Sequence, residues 1–89
     1  MSDRVYEISF RKSVKKDIKG IPHNDLVKIF TSIENLATNP IPTNAIKLKG
    51  SDTMYRIREG NYRIVYDIEF DTIVITIIRI GHRKNVYKD

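Results

Sequence analysis

Residues 54–68 read MYRIREGNYRIVYDI, and the alternation in this stretch is the clearest indication of the fold. Apolar side chains occupy every second position on both sides of the Glu-Gly-Asn triplet at residues 59–61. A period of two is typical of half-buried strands, because successive side chains of a strand point to opposite faces. A short Gly- and Asn-containing segment between two such runs favours a tight turn. The stretch therefore predicts a hairpin, with strands over residues 55–58 and 62–68.

The flanking segments predict one more strand on the carboxyl side and a helical half on the amino side. Residues 72–80 are apolar almost throughout, which is typical of a central strand covered on both faces. Residues 5–10 alternate like a half-buried strand. Helical spacing then runs from about Lys12 to Gly20, and a second helix with an apolar stripe runs from Pro22 or His23 to about Ala37.

These elements predict an α+β fold in the order β-α-α-β-β-β, within a single domain spanning residues 1–89. Consecutive strands joined by short turns form a small antiparallel sheet, and the two amino-terminal helices cover one of its faces. The tail, residues 81–89, is expected to add a turn of helix or a further edge strand.

Composition limits the class of protein. The 89 residues contain no cysteine, which excludes disulfides, thiolate metal sites and thiol nucleophiles. With two histidines in the chain, we expect no bound metal and no cofactor. The absence of a long apolar run and of a signal-peptide pattern predicts a cytoplasmic protein without a membrane partner. The net charge of +5 favours an anionic partner such as nucleic acid.

Three arginines are predicted to share the sheet face that the helices leave uncovered. Arg56 and Arg58 lie two positions apart on one strand, and Arg63 follows the turn on the neighbouring strand. The last strand is expected to bring Arg79 or Arg83 to the same face. Guanidinium groups gathered on one surface would suit a phosphate. The alternative interpretation is an ordinary solvated basic face.

Further basic and aromatic residues extend this candidate site. Lys47 and Lys49 enlarge the positive region as general RNA or phosphate contacts. Tyr87 either packs against the carboxyl terminus or offers RNA a stacking platform or a hydroxyl group. His82 is either a structural turn residue or a proton carrier beside the arginines.

Five segments resemble the RelE/ParE superfamily, the toxins of bacterial and archaeal toxin–antitoxin pairs. They are AIKLKG at 45–50, MYRIR at 54–58, GNYRIVY at 60–66, IGHR at 80–83 and VY at 86–87. The resemblance covers the whole chain and implies a small twisted antiparallel sheet with two helices packed on one face. The working residues of the family fall on Arg56, Arg58, Arg63, Arg83 and Tyr87.

For the RelE branch, the resemblance implies a metal-independent endoribonuclease that cuts mRNA in the ribosomal A site. The best-known pattern of the family has lysine where this chain has Arg56 and Arg58. Because arginine effectively cannot lose its proton, Arg58 suits charge stabilisation better than general-base catalysis. The base is then expected to be Tyr87 or His82, or to come from ribosomal RNA. The sheet arginines would hold the scissile phosphate, and Arg83 would stabilise the leaving group.

The resemblance also implies partners. A cognate antitoxin would wrap the toxin with an acidic helix or strand whose Asp and Glu residues lie opposite the sheet arginines, and operator DNA would be bound only by the toxin–antitoxin complex. Two alternatives to mRNA cleavage stay open at this point. One is a ParE-like inhibitor of DNA gyrase, and the other is a non-catalytic module that binds its antitoxin and represses their operon.

Overall fold

The computed structural model describes residues 4–82, which form a sheet with two helices. The strands are β1 (Glu7–Phe10), β2 (Ile46–Lys47), β3 (Met54–Glu59), β4 (Tyr62–Glu69) and β5 (Val74–His82), and the helices are α1 (Val14–Asp17) and α2 (His23–Leu36). The α+β class and the order of the predicted elements are confirmed, with β2 as an addition. No helix within these residues has the length and hydrophobicity that crossing a membrane requires.

The five strands are arranged in the order β1-β5-β4-β3-β2. Strands β2 to β5 form the predicted antiparallel meander. The edge strand β1 differs from the expectation, because it runs parallel to β5, with Glu7 opposite Val74. Two helices separate β1 from the other strands along the chain, so no hairpin dictates its direction. The sheet is therefore mixed.

Two turns set the register of the central strands. Gly60 and Asn61 form a two-residue turn between β3 and β4, and Gly60 has a φ of 60°, which glycine adopts without a steric penalty. The β4–β5 connection ends at Ile73, which also has a φ of 60°. Between Val65 and Tyr66 the pairing of β4 with β5 shifts by one residue, as in a β-bulge.

The core lies between the helices and one face of the sheet. From α2, the apolar stripe contributes Ile29, Ile33 and Leu36, all at most 1% exposed. The strands contribute a set of buried residues dominated by isoleucine: Ile57, Ile64, Tyr66, Ile68, Ile75, Ile77 and Ile80. Burying each large aliphatic side chain stabilises the fold by about 1.5–3 kcal/mol before the cost of ordering the chain is counted.

Two polar contacts attach the connections to this core. The Asp17 carboxylate accepts a 3.0 Å hydrogen bond from the backbone N–H of Ile80, and so anchors the end of α1 to β5. The Tyr66 hydroxyl donates a 2.7 Å hydrogen bond to the Pro40 carbonyl oxygen, in the loop between α2 and β2. Burial, with a smaller contribution from Tyr55, raises the pKa of Tyr66 well above its ordinary value.

Candidate functional site

The pairing of β3 with β4 places three arginines on the sheet face opposite the helices. Arg58 lies directly opposite Arg63, and Arg56 lies opposite Val65. Directly paired residues of an antiparallel ladder share a face. The intervening residues Ile57 and Ile64 point the other way, into the core. The predicted grouping of Arg56, Arg58 and Arg63 on one face is therefore observed.

Strand β5 adds a fourth arginine to this face. Arg79 pairs with Val65, so Arg56, Val65 and Arg79 form one row across three strands. At about 4.8 Å between neighbouring strands, the backbones at Arg56 and Arg79 are about 10 Å apart. We call the surface of Arg56, Arg58, Arg63 and Arg79 the arginine face. In the adjoining row Gly81 lies opposite Arg63, so no side chain of β5 competes for the space beside it.

A cavity of about 300 Å³ opens on the arginine face. It is lined by Asn44, Ile46, Arg56, Arg58 and Arg63. Three guanidinium-bearing residues thus border one space, and the described lining residues include no carboxylate. Arginine remains charged at all physiological pH values and its planar fork matches the oxygens of a phosphate. We call this space the arginine cavity.

The three arginines of the cavity differ in burial. Arg63 is 2% exposed, Arg56 is half-buried and Arg58 is exposed. A guanidinium that is removed from water must be accommodated by its surroundings, because an uncompensated buried charge is costly. Arg63 is consequently part of the packed structure as well as of the site, whereas Arg58 is available to a ligand at little structural cost.

Other predicted site residues lie elsewhere. Lys47 pairs with Tyr55, which packs against the core, so Lys47 faces the helix side at the sheet edge. Lys49 is exposed in the turn that follows β2. Neither lysine lines the arginine cavity.

The interpretation of His82 as a proton carrier stays a prediction, and His82 lines one cavity together with Arg79. β5 continues through His82, which pairs with Tyr62, and their rings meet edge-on with centroids 5.6 Å apart. His82 therefore belongs to the helix-side face, across the sheet from the arginine face. Arg83 and Tyr87 lie outside the described residues.

Asn44 and Ile46 are lining residues that the sequence did not predict. Residues 39–45 have the composition of an ordinary loop, and a two-residue strand such as β2 shows no periodicity. The pairing of Ile46 with Arg56 brings the end of this loop to the cavity. The sequence feature that could have indicated this role is the amide side chain of Asn44 immediately before a segment of basic and apolar residues, since loops next to a rigid sheet often carry functional residues.

The chemistry available in the arginine cavity follows from its side chains. Arginine, asparagine and isoleucine can bind and stabilise an anion, but they do not exchange protons near neutral pH. Among residues 4–82, no three His, Asp or Glu side chains are grouped so that they could hold a metal ion. The described lining therefore supplies charge stabilisation, and a proton carrier would have to come from another group.

Comparison with known proteins identifies the family. Residues 8–87 match the model of the ParE toxin of type II toxin–antitoxin systems, parDE. The chain belongs to this toxin family. RelE1 of Methanocaldococcus jannaschii is 39% identical over 87 residues, covering 94% of this chain and 97% of that protein. Toxin RelE3 of the same organism is 35% identical over 85 residues, covering 91% of this chain and 94% of that toxin.

A solved structure agrees with this identification. The archaeal RelE–RelB complex of Pyrococcus horikoshii OT3 contains a chain that is 27% identical to this one, with a TM-score of 0.80. The match covers 91% of this chain and 98% of that chain. The resemblance to the RelE/ParE superfamily is thus confirmed, and the protein is a RelE-like toxin of a type II toxin–antitoxin system.

Proposed function

We propose that this toxin is a ribosome-dependent endoribonuclease that cuts mRNA during translation. The observation that carries the proposal is the arginine cavity, in which Arg56, Arg58 and Arg63 border one space of phosphate-binding character. The resemblance of the sequence to the RelE branch implies RNA as the anionic target. As in the sequence-based expectation, the reaction uses neither a metal nor a cofactor.

The proposed reaction is an attack of a 2′-hydroxyl on the adjacent phosphate. The new O2′–P bond forms and the P–O5′ bond breaks, so the products carry a 2′,3′-cyclic phosphate and a free 5′-hydroxyl. Negative charge accumulates on the phosphoryl oxygens in the transition state, where positioned cations are most effective. Arg56, Arg58 and Arg63 would stabilise this charge.

Two proton transfers complete the balance: a base removes the 2′-hydroxyl proton, and an acid protonates the departing 5′ oxygen. Neither role suits the cavity arginines, because their guanidinium groups do not deprotonate. We assign the base to Tyr87, to His82 or to a group of the ribosomal RNA, and stabilisation of the leaving oxygen to Arg83. The proton for the leaving oxygen would come from His82 or from a water molecule. A toxin that lacks its own efficient base would need the ribosome as a co-catalyst.

Transcript mapping in a translating cell extract tests the proposal. With wild-type toxin we expect new 5′-hydroxyl ends within translated codons, and none when translation initiation is blocked. Arg58→Ala should reduce the cleavage rate by about 100-fold, the usual effect of losing one transition-state donor. Arg11→Ala removes an equal charge at an exposed position outside the cavity and should cleave normally. Intact transcripts together with arrested translation would refute the proposal.

The proposed protein partner is an acidic antitoxin. An apolar groove of about 340 Å³ lies where β1, α1 and α2 meet. Its lining combines the apolar residues Phe10, Val14, Ile18 and Phe30 with the basic residues Arg11, Lys12 and Lys15. Phe10 is 45% exposed there. An amphipathic segment with acidic flanks would match both the apolar floor and the basic rim. Operator DNA would bind only to the assembled toxin–antitoxin complex.

A second candidate function is inhibition of DNA gyrase, which resemblance to the ParE branch of the superfamily implies, and the matching family model is that of a ParE toxin. The arginine cavity would then contact DNA phosphates or an acidic surface of the enzyme without any chemistry on RNA. A supercoiling assay separates the two candidates. Toxin-dependent accumulation of cleaved DNA, with mRNA left intact, would favour the gyrase function. Binding of the antitoxin without toxicity would instead favour a purely repressive module.

A further inference from the structure

We infer that a second cavity, which lies on the helix side of the sheet edge and shares Asn44 with the arginine cavity, binds one unpaired nucleobase of the RNA. This inference rests on the proposed function and extends it, because it assigns a base-reading role to residues outside the arginine face. Bases of single-stranded RNA are read by hydrogen bonds to their edges and by contact with their flat faces.

The second cavity, the amide cavity, has a volume of about 130 Å³. Its lining residues are Ser32, Asn35, Leu36, Asn39, Pro42, Asn44 and Ile57. Asn44 lines both cavities: the amide cavity lies on the helix side of β3, to which Ile57 points, and the arginine cavity lies on the other side of the sheet. Since a water molecule takes up about 30 Å³ of liquid, the cavity has room for about four waters. That space suits one heterocyclic ring, and not a ring together with its sugar and phosphate.

The lining of the amide cavity favours a base over a phosphate. None of its described lining residues is charged, in contrast to the arginine cavity, and the lining hydroxyl of Ser32 donates a 2.5 Å hydrogen bond to the carboxylate of Glu59, which would repel a phosphate. Each asparagine offers two N–H donors and a carbonyl acceptor, the combination that pairs with a base edge. Leu36 and Ile57 are 1% and 3% exposed and provide an apolar floor that belongs to the core.

The loop that carries Asn44 is held in place before any ligand arrives. The Tyr66 hydroxyl donates to the Pro40 carbonyl oxygen and so ties the loop to a fully buried residue of β4. The Ala45 N–H donates a 2.9 Å hydrogen bond to the Pro42 carbonyl oxygen, which closes a turn around Asn44. A site on such an anchored loop loses little conformational entropy when it binds.

Binding of short single-stranded RNA tests the inference independently of cleavage. The probe is a fluorescein-labelled pentanucleotide with 2′-O-methyl groups, which block the attacking hydroxyl. Five further versions each lack the base at one position. With wild-type toxin, removal of one particular base should weaken binding about tenfold, in line with the contribution of a well-formed amide–base pair.

The variants locate that effect. In Asn44→Ala, removal of this base should leave the binding affinity almost unchanged, since the base no longer has its amide partner. Asn24→Ala is the matched control, because Asn24 is an exposed asparagine near the start of α2, far along the helix from Asn35. It should keep the tenfold penalty. Asn44 does not adopt a positive φ, so alanine fits its turn, and the thermal midpoint should stay unchanged.

Three outcomes would overturn the inference: no base dependence in the wild type, equal weakening of intact and abasic probes in Asn44→Ala, or the same loss in Asn24→Ala. A different result would refute the proposed cleavage. If transcripts stay intact in the translating extract while the base dependence persists, the amide cavity stands and the nuclease proposal falls. Cleavage without any base dependence overturns the amide cavity alone.

Discussion

The two faces of the sheet are built from alternate residues of the same strands, yet they differ in almost every property. In β3, Ile57 points to the helices, and its neighbours Arg56 and Arg58 point away from them. The centre of the helix-side face is apolar and almost fully buried, whereas the arginine face gathers charge around a cavity. One alternating stretch of chain thus encodes stability on one side and ligand binding on the other.

The separation is incomplete at two positions of β4. Arg63 and Val65 belong to the arginine face but are 2% and 4% exposed, similar to core residues. Functional and structural demands therefore coincide at Arg63, while Arg58, directly opposite, is exposed. Substitutions on the two faces, and at Arg58 and Arg63, test this difference.

The largest effect on stability is expected on the helix-side face. Ile64 is fully buried, and Ile64→Ala should lower the free energy of unfolding by about 2–5 kcal/mol, because it removes buried methyl groups and leaves a cavity. For a domain of this size the melting temperature should drop by at least about 8 °C. Thermal circular dichroism measures the change. A decrease in the free energy of unfolding of less than about 1 kcal/mol would contradict the assignment of stability to the helix-side face.

The pair of opposed arginines should separate activity from stability. Arg58→Ala should change the free energy of unfolding by less than about 0.5 kcal/mol, as exposed substitutions usually do, while abolishing most mRNA cleavage. Arg63→Ala should lose cleavage too, and also about 2 kcal/mol of stability through lost packing and polar contacts. Chemical denaturation and transcript mapping of both variants check this. Equal stability losses would contradict the difference in burial.

A smaller effect is expected at the apolar groove, which lies at the exposed edge of the helix side, where β1 meets the helices. Phe10→Ala should weaken binding of the cognate antitoxin by about tenfold, because an aromatic anchor of about 1–2 kcal/mol is lost. Phe70→Ala is the matched control, since Phe70 is 42% exposed but lies in the β4–β5 loop. Titration calorimetry of each variant with purified antitoxin gives the affinities. Equal weakening by both variants would place the antitoxin elsewhere.

The smallest expected effect on stability is that of Tyr66, and it depends on pH. Because burial raises its pKa, the folded state resists ionisation of Tyr66 more than the unfolded state does. Its contribution to stability is therefore complete below the unfolded pKa of about 10 and declines as pH rises above it. Tyr66→Phe should cost about 1 kcal/mol at pH 7, where the hydrogen bond to Pro40 is lost.

The difference between wild type and Tyr66→Phe should then shrink above pH 10, as measured by urea unfolding at several pH values. Other tyrosines titrate in both proteins and cancel in the difference. A constant difference between pH 7 and pH 11 would contradict the role of burial at this position.

Local periodicity predicted the parts of the molecule that depend on neighbours in the chain. The alternation around the Gly60–Asn61 turn placed Arg56, Arg58 and Arg63 on one face, because a two-residue turn also sets the register. The three- and four-residue spacing in α2 identified its buried stripe in the same way.

The features that sequence could not predict depend on distant parts of the chain. The parallel pairing of β1 with β5 joins opposite ends of the described chain, and β2 exists only as a partner of β3. The apolar run ends at Ile80, which predicts a turn at His82. Pairing with β4 instead extends β5 through His82 and determines the sheet face to which its side chain belongs. The burial of Arg63 likewise depends on tertiary packing, which no local pattern reports.

The pairing of β1 with β5 has a consequence for the order in which the toxin folds. The β3–β4 hairpin, which carries three of the four arginines, closes over a two-residue turn and can form early. β1 must wait for β5, the last of the described strands along the chain, before it has a partner, and closing a loop of more than 60 residues is slow. During its own synthesis, the protein therefore holds β1 unpaired until β5 has also left the ribosome.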